Sequence, residues 1–469
     1  MLRPSPQHTP DVIEPHGFES EKYTGYELLR GSFKDAAISF LDKIGLLERL
    51  ANDWMMIPLH GDHNSTDRYL RGALEFLEAQ WVLDRKGNQY KLRDDAEVRI
   101  SGSRVIHQRV ATYTDVMRTV EADLEWPTEG KGRYVYDKSS VHALSWLPAV
   151  LTILKETNLT TQLTTEPGVK LTSFTEPYLG ILEGLELVEI DGDSVAIATK
   201  EGKAVLKQEG FAELMLSYFR PMSDLKELFD GDKRYGKDKD VNRQPTANAL
   251  ATNGILKKRV APEIAEWIAS QDFEAAVDYG CGGGDMTQQT LAKAPGLDFA
   301  IGMDIHPVTV KTARQKAEEA GIGEKARFIE GNITSEADMR KLAEALEGRT
   351  TAHVINFILH ESPELANAFL ALHAKIFPND TLIVSESFKI PLEIRRAHPN
   401  AQASIFDFMH EISGQTLYEF EQLKKMLDAH GYEIVEVKTH SSIRNEENHP
   451  EEGRLPTIAT FMCRQKSSH

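Results

Sequence analysis

Apolar residues in the N-terminal half recur at helical spacing and then give way to alternation. Phe33, Ala37, Phe40, Ile44 and Leu47 stand three or four apart, which predicts a helix over SFKDAAISFLDKIGLLERLAN. A second helix, DRYLRGALEFLEAQ, precedes WVLDRKGNQYKL, which reads as two short strands around Lys86-Gly87-Asn88. Helices followed by a small hairpin are the layout of a winged helix. The pattern returns about a hundred residues on. WLPAVLTILKETNLTTQL predicts a helix, and TEPYLGILEGLELVEIDGDSVAIAT predicts a helix plus a hairpin turning at Asp191-Gly192-Asp193. Leu77-Glu78-Ala79 and Leu182-Glu183-Gly184 hold the same place in the two copies.

Past residue 255 the texture changes to strands alternating with helices. The strands are AAVDYG, FAIGMDI, ARFIEGN, AHVINFIL and DTLIVSES, with helical stretches such as VTVKTARQKAEEAG and SPELANAFLALHAKIF between them. Such alternation predicts a parallel doubly wound sheet with its ligand at the strand C-terminal ends. The finish differs: YEIVEVKTH and PTIATFMCR have no helix between them, so they should pair antiparallel at one edge. The expected fold class is therefore α/β, a Rossmann-like doubly wound sheet with an antiparallel terminal strand pair, preceded by helical winged-helix-like domains. Expected boundaries are 1–21 for a flexible N-terminus, 22–130 and 131–220 for the two winged-helix-like units, 221–254 for a polar connector and 255–469 for the sheet.

Charge changes the meaning of the winged helices. The chain of 469 residues has a formal net charge of −18. RYLRGALEFLEAQ and FTEPYLGILEGLE, the candidate recognition helices, carry at least as many acids as bases, whereas a helix in a DNA groove needs Arg, Lys, Asn or Gln. Packing, dimerisation or a substrate lid is the expected role, with no nucleic acid as partner. No run of ~18 apolar residues predicts a membrane span, and the N-terminus lacks a signal-peptide core. Two cysteines, Cys281 and Cys463, make no disulfide framework and suit a reducing cytoplasm. No Cys or His cluster has zinc-ligand spacing.

The densest chemistry lies in AAVDYGCGGGDMTQQTLAK. A strand ends, glycines turn, and a helix starts, with Asp285 as expected N-cap and Gln288 as its capping-box partner. Glycines let a ligand touch the main chain. A dinucleotide is disfavoured, because Asp285 occupies the third Gly of G-x-G-x-x-G and competes for the helix pole that a pyrophosphate needs. Asp278, just before Gly280, is placed to meet a cation. Asp304 ends the next strand and can accept from both ribose hydroxyls. Asn332 closes the third strand toward an adenine edge. Asn356 lies where the fourth strand brings the ligand's methionine part to the substrate. A ligand with an amino acid end, a ribose and no phosphate is S-adenosylmethionine.

Residues from about 250 to 469 resemble the class I S-adenosylmethionine-dependent methyltransferases. The resemblance rests on V-D-Y-G-C-G-G-G, on the acid in G-M-D-I, on E-G-N-I, on the helix–Gly–aromatic approach Q-T-L-Y-E-F-E-Q-L-K-K-M-L-D-A-H-G-Y-E-I, and on the terminal strand pair. It implies ligand contacts at Gly280, Gly282, Asp304 and Asn332, the last standing where many members have Asp. Small-molecule members often carry an N-terminal winged-helix-like dimerisation domain, which implies a small-molecule substrate and a homodimer joined there. Cys281 is expected to fill the turn rather than attack.

For the acceptor, carboxylates at the strand ends suggest a cationic nitrogen. Glu361 and Glu386, past the fourth and fifth strands, could clamp a guanidinium, with His410 or Asp407 assisting and Tyr235 or Asn242 of the connector closing the site. Glu364 more simply opens a helix. More loosely, the layout resembles bacterial enzymes that methylate free arginine or 2-ketoarginine in secondary metabolism, including antibiotic pathways. That implies Nω-methylation of arginine. The alternatives are C-methylation of 2-ketoarginine, O-methylation of a phenolic or enol metabolite with His360 or His410 as base, and, more remotely, a winged-helix DNA-binding regulator.

Overall fold

The computed structural model describes residues 33–57 apart from 34 and 35, 67–93 apart from 81, parts of 150–238, and 260–397, 402–444 and 454–466. Contacts divide the chain into two units, one of residues 1–31 with 127–209 and one of 32–126 with 210–469. The boundaries at 130, 220 and 254 fall on stretches that lie mostly outside the described residues.

In the larger unit, the N-terminal segment supplies β1 (Met55–Met56), the helix Asp67–Ala79, β2 (Leu83–Lys86) and β3 (Gln89–Leu92). The strands form an antiparallel sheet in the order β1-β3-β2. Lys86 pairs with Gln89 across the expected turn, where Gly87 has φ +61°. Ten of the 13 residues of Asp67–Ala79 are buried. Phe76 stacks on Phe408 of the helix Gln402–Ser413, ring centroids 5.0 Å apart and planes 11° apart. A Cβ on Gly72 would come within 2.9 Å of Glu411 Cβ, so the helices approach closely there. This is the first of the two candidate recognition helices, and its surface is spent on packing.

The smaller unit holds the helix Leu159–Leu163, β4 (Val169–Lys170), β5 (Val188–Ile190), β6 (Val195–Ala198) and the helix Lys200–Leu206. Its strands also pair antiparallel, in the order β4-β6-β5. Asp191 N donates to Val195 O at 3.0 Å and closes the second expected hairpin.

The main sheet has seven strands: β7 (Ala275–Tyr279), β8 (Phe299–Asp304), β9 (Ala326–Glu330), β10 (Thr351–Asn356), β11 (Thr381–Ser387), β12 (Tyr432–Arg444) and β13 (Arg454–Gln465). Their order is β12-β13-β11-β10-β7-β8-β9. β7 to β11 run parallel, and β13 lies antiparallel between β11 and β12. This is the expected α/β architecture with its antiparallel terminal pair at one edge. Parallel strands must be covered on both faces, which is why they read as apolar runs. Val277, Tyr279, Phe299, Ile301 and Met303 pack one face against the helices Glu336–Leu346, Pro363–Ile376 and Phe420–Ala429. The small Ala276 and Ala300 face the other layer, where the helices Ala261–Ala269, Asp285–Lys293 and Pro307–Glu319 lie close. Among the described residues, no helix is long and apolar enough to cross a membrane.

Candidate active site

β7 and β10 are parallel neighbours, and the connections leaving them run to opposite sides of the sheet. A crevice therefore opens beyond their C-terminal ends, where ligands bind in doubly wound folds. The glycine turn leaves β7 there. Gly280, Gly282 and Gly284 have φ of +65°, +50° and +77°, values that L side chains rarely adopt. Open space adjoins Gly282, whereas a Cβ on Gly280 would fall 2.5 Å from Ile358 Cδ1. Gly284, in its left-handed conformation, is the N-cap of the following helix. The capping role expected of Asp285 is thus not adopted. Asp285 is the first helical residue, its carboxylate 3.8 Å from Lys316 Nζ.

Two acids flank the turn. Asp304, at the end of β8, accepts from Gly282 N through Oδ2 and from His306 N through Oδ1, both at 2.9 Å. Each oxygen keeps lone-pair capacity, so the carboxylate is held in one pose and still able to accept. Asp278 is buried at the end of β7 and accepts from Thr287 Oγ1 at 2.9 Å. Burial pushes its carboxyl up to about 7, Asp304 and Asp285 add to the rise, and the Thr287 hydrogen bonds oppose it. Cys281 is buried beside the turn with its thiol pushed up by burial, the setting of a space filler.

Asn332 Oδ1 is taken up by Thr334 N and Oγ1 at 2.9 and 2.8 Å, so its amide NH2 is what it offers the crevice. Asn356 ends β10 only 8 % exposed, and neither its Oδ1 nor its Nδ2 has a hydrogen-bond partner. Buried amides without partners are costly and point to a missing ligand or water. Phe357 follows at φ +54°, an unfavourable value for a side chain of this size, so the backbone at the switch point is strained. Periodicity gave no sign of this. Thr287 and Ile305 were also not anticipated. Ile305 is 57 % exposed directly after Asp304, an apolar side chain beside a polar anchor.

The acceptor side is built from the turn Leu359–Glu361 and from the C-terminal end of β11, which holds Glu386 rather than leaving it past the strand as expected. Glu386 is 1 % exposed. Its Oε1 accepts from Leu359 N at 2.7 Å, and its Oε2 lies 2.8 Å from His360 Nδ1. Each oxygen thus holds one partner within the protein and the carboxylate is buried, so its first role is internal, beside the expected clamp of Glu361 and Glu386 on a guanidinium. Glu386 orients a histidine. Thr416 N donates to the His360 carbonyl at 2.8 Å, and the His410 ring meets the His360 ring edge-on at 4.8 Å. His410 Nδ1 donates to Phe406 O. Glu361 is partly buried at the end of the turn. Ser362 caps the next helix by accepting from Leu365 N, and Glu364 lies in its first turn. The structure gathers His360, Glu386 and His410, while Glu364 is exposed on the first turn of the next helix. The histidine–glutamate pair was missed because its members stand 26 residues apart, on different strand ends.

Asp407 is buried on the helix Gln402–Ser413, with Arg395 Nη1 3.0 Å from its Oδ2. Tyr235 lies in the turn after the helix Leu225–Asp230 and is partly buried. Asn242 lies outside the described residues.

Residues 276–374 match the family model described as a methyltransferase domain. No curated protein matches the chain. Among solved structures, the mitomycin 7-O-methyltransferase MmcR is 15 % identical with a TM-score of 0.48, covering 68 % of this chain and 94 % of its own. Human N-acetylserotonin methyltransferase, solved with S-adenosylmethionine, is 16 % identical with a TM-score of 0.46, covering 68 % of this chain and 94 % of its own. These likenesses carry no argument about substrate or residue roles. The matched segment, from the first strand through the fourth and its following helix, together with the strand order, defines a class I methyltransferase domain. By this match the chain carries a methyltransferase domain.

Proposed function

We propose that the enzyme methylates the hydroxyl oxygen of a small metabolite, with His360 as general base held by Glu386. The observation that carries this reading is the 2.8 Å contact between His360 Nδ1 and Glu386 Oε2 at the mouth of the crevice. A ring that donates Nδ1–H to a carboxylate carries its lone pair on Nε2, and the carboxylate stabilises the imidazolium formed when Nε2 takes a proton. Glu386 is itself locked by Leu359 N, so the ring is oriented before substrate arrives.

S-Adenosylmethionine, when bound, supplies a methyl group on a positively charged sulfur. The residues present suit it. Gly280 and Gly282 would bring main chain to its amino acid end, Asp278 would face its cationic end, and Asp304 would accept from its ribose. Asn332 would donate to its adenine, and the orphaned amide of Asn356 would find its partners there. His360 Nε2 would take the acceptor's O–H proton, the methyl group would come from the sulfonium with the methyl–sulfur bond breaking and S-adenosylhomocysteine as leaving group, and the edge-on His410 ring would limit where the acceptor can sit.

Nω-methylation of arginine is less supported, because Glu386 is buried and turned to His360, and the acids near Asp407 face Arg71, Lys389 and Arg395. The reading also includes a homodimer joined through the N-terminal segments and a cytoplasmic setting, which the free cysteines suit. Sedimentation of the full chain tests the dimer. The reaction is tested by incubation with S-adenosylmethionine and phenolic and enolic metabolites, free arginine and 2-ketoarginine, followed by product mass and fragmentation. An O-methyl product supports the proposal. A methylated guanidinium or carbon would overturn the oxygen assignment and leave the enzyme class standing.

A further inference from the structure

A cleft beside the histidine pair runs between the helices Asp67–Ala79 and Gln402–Ser413, with Gly72, Lys389, Asp407, His410, Gln415 and Thr416 in its wall. Its charges are evenly matched. Arg395 is almost fully buried and spent: Nε donates to Ile390 O, Nη2 to Glu75, and Nη1 lies 3.0 Å from Asp407. Glu411 accepts from Arg71 at 3.0 Å. Three acids, Glu75, Asp407 and Glu411, thus meet three bases, Arg71, Lys389 and Arg395. A guest with net charge would upset that balance, whereas a zwitterion would not.

Two groups in this wall keep capacity of opposite sign. The Lys389 ammonium has three donors, and its contact with Glu411 Oε1, at 3.7 Å, is an ion pair too long for a hydrogen bond. Asp407 is 5 % exposed, and neither carboxylate oxygen has a hydrogen-bond donor, since Arg395 stands close but outside hydrogen-bond geometry. A buried carboxylate short of donors favours a ligand that brings them.

We propose that this cleft seats the amino acid end of the substrate, with Lys389 binding its α-carboxylate and Asp407 accepting from its α-ammonium, so that its side chain reaches His360. The inference rests on the reading of the crevice as the methyl-transfer site and names its substrate class, a free amino acid or a close zwitterionic relative. Lys389 and Asp407 are then specificity residues, with no part in the proton transfer.

Binding can be measured without any methyl transfer, which separates this proposal from the choice of acceptor atom. The full chain, saturated with S-adenosylhomocysteine, is titrated calorimetrically with tyrosine, tyramine, 3-(4-hydroxyphenyl)propionate and 4-ethylphenol, and in parallel with arginine, agmatine and 5-guanidinovalerate. In at least one series the amino acid should bind about tenfold or more tighter than both its decarboxylated and its deaminated analogue. Lys389→Met should erase the preference over the amine, and Lys389→Arg should restore part of it. Asp407→Asn should erase the preference over the deaminated acid. Lys389 is partly exposed, so its variants keep the fold even where Asp407→Asn does not. The proposal is overturned if no amino acid outbinds its analogues, or if Lys389→Met weakens every member of a series equally, as a purely structural ion-pair network would require.

Discussion

The two ends of the crevice use their acids differently. On the cofactor side, Asp304 and Asp278 accept from backbone and Thr287 donors inside one strand–turn–helix–strand run. On the acceptor side, Glu386 serves a histidine, while Asp407 and Glu411 face cations drawn from two distant stretches of chain. The first end is assembled locally and takes a fixed ligand. The second is assembled over long sequence distances, so its chemistry is set by tertiary packing.

The sharpest break of that comparison is His360→Ala. It should lower kcat by about 100- to 10,000-fold, as loss of a general base does, while the affinity for S-adenosylhomocysteine by calorimetry stays within about twofold. An equal loss in both would merge the two ends into one site. Next in size is Asn356→Ala. Removing a buried amide without partners relieves a cost of about 1–3 kcal/mol, so the unliganded melting temperature should hold or rise, while cofactor affinity falls roughly five- to tenfold. A drop in the melting temperature with unchanged affinity would make Asn356 structural.

The smallest effect is a proton. The Asp278 carboxyl is raised from 3.8 to about 7, so between those values the folded, unliganded protein binds more protons than the unfolded chain. The Asp278 contribution to stability is therefore present below pH 4 and is lost as pH rises through 7. A cation beside the carboxylate draws its pKa down. Donor affinity should thus rise with pH across the same window and level off above it, with up to one proton released on binding. Calorimetry in buffers of unlike ionisation heat reads that proton. Release of none would remove Asp278 from the cationic end of the ligand.

What was legible in the sequence follows the same divide. The glycine turn, Asp304 and the order of strands and helices could be read because each signal sits within a few residues of its structural cause. The antiparallel finish was legible from a missing helix. The helix start at Asp285 was misread by one residue because Gly284, free to take positive φ, can cap without a side chain. Strain at Phe357 left no trace in composition or periodicity, since it reflects the turn from β10 into Leu359–Glu361. The pairing of Glu386 with His360, and of Asp407 with Arg395, could not be read at all. Neither pair shares a helix face or a strand register, and only the tertiary fold brings the members together.

Gly72 has a consequence for how such an enzyme can change. Its hydrogen is what lets the backbone of an N-terminal helix press against Glu411. A methyl group there would wedge the helices apart and widen the wall facing the histidines, without touching the glycine turn at the other end of the sheet. Tolerance for bulkier acceptors is thus adjustable from a residue more than two hundred positions before the first strand of the catalytic sheet.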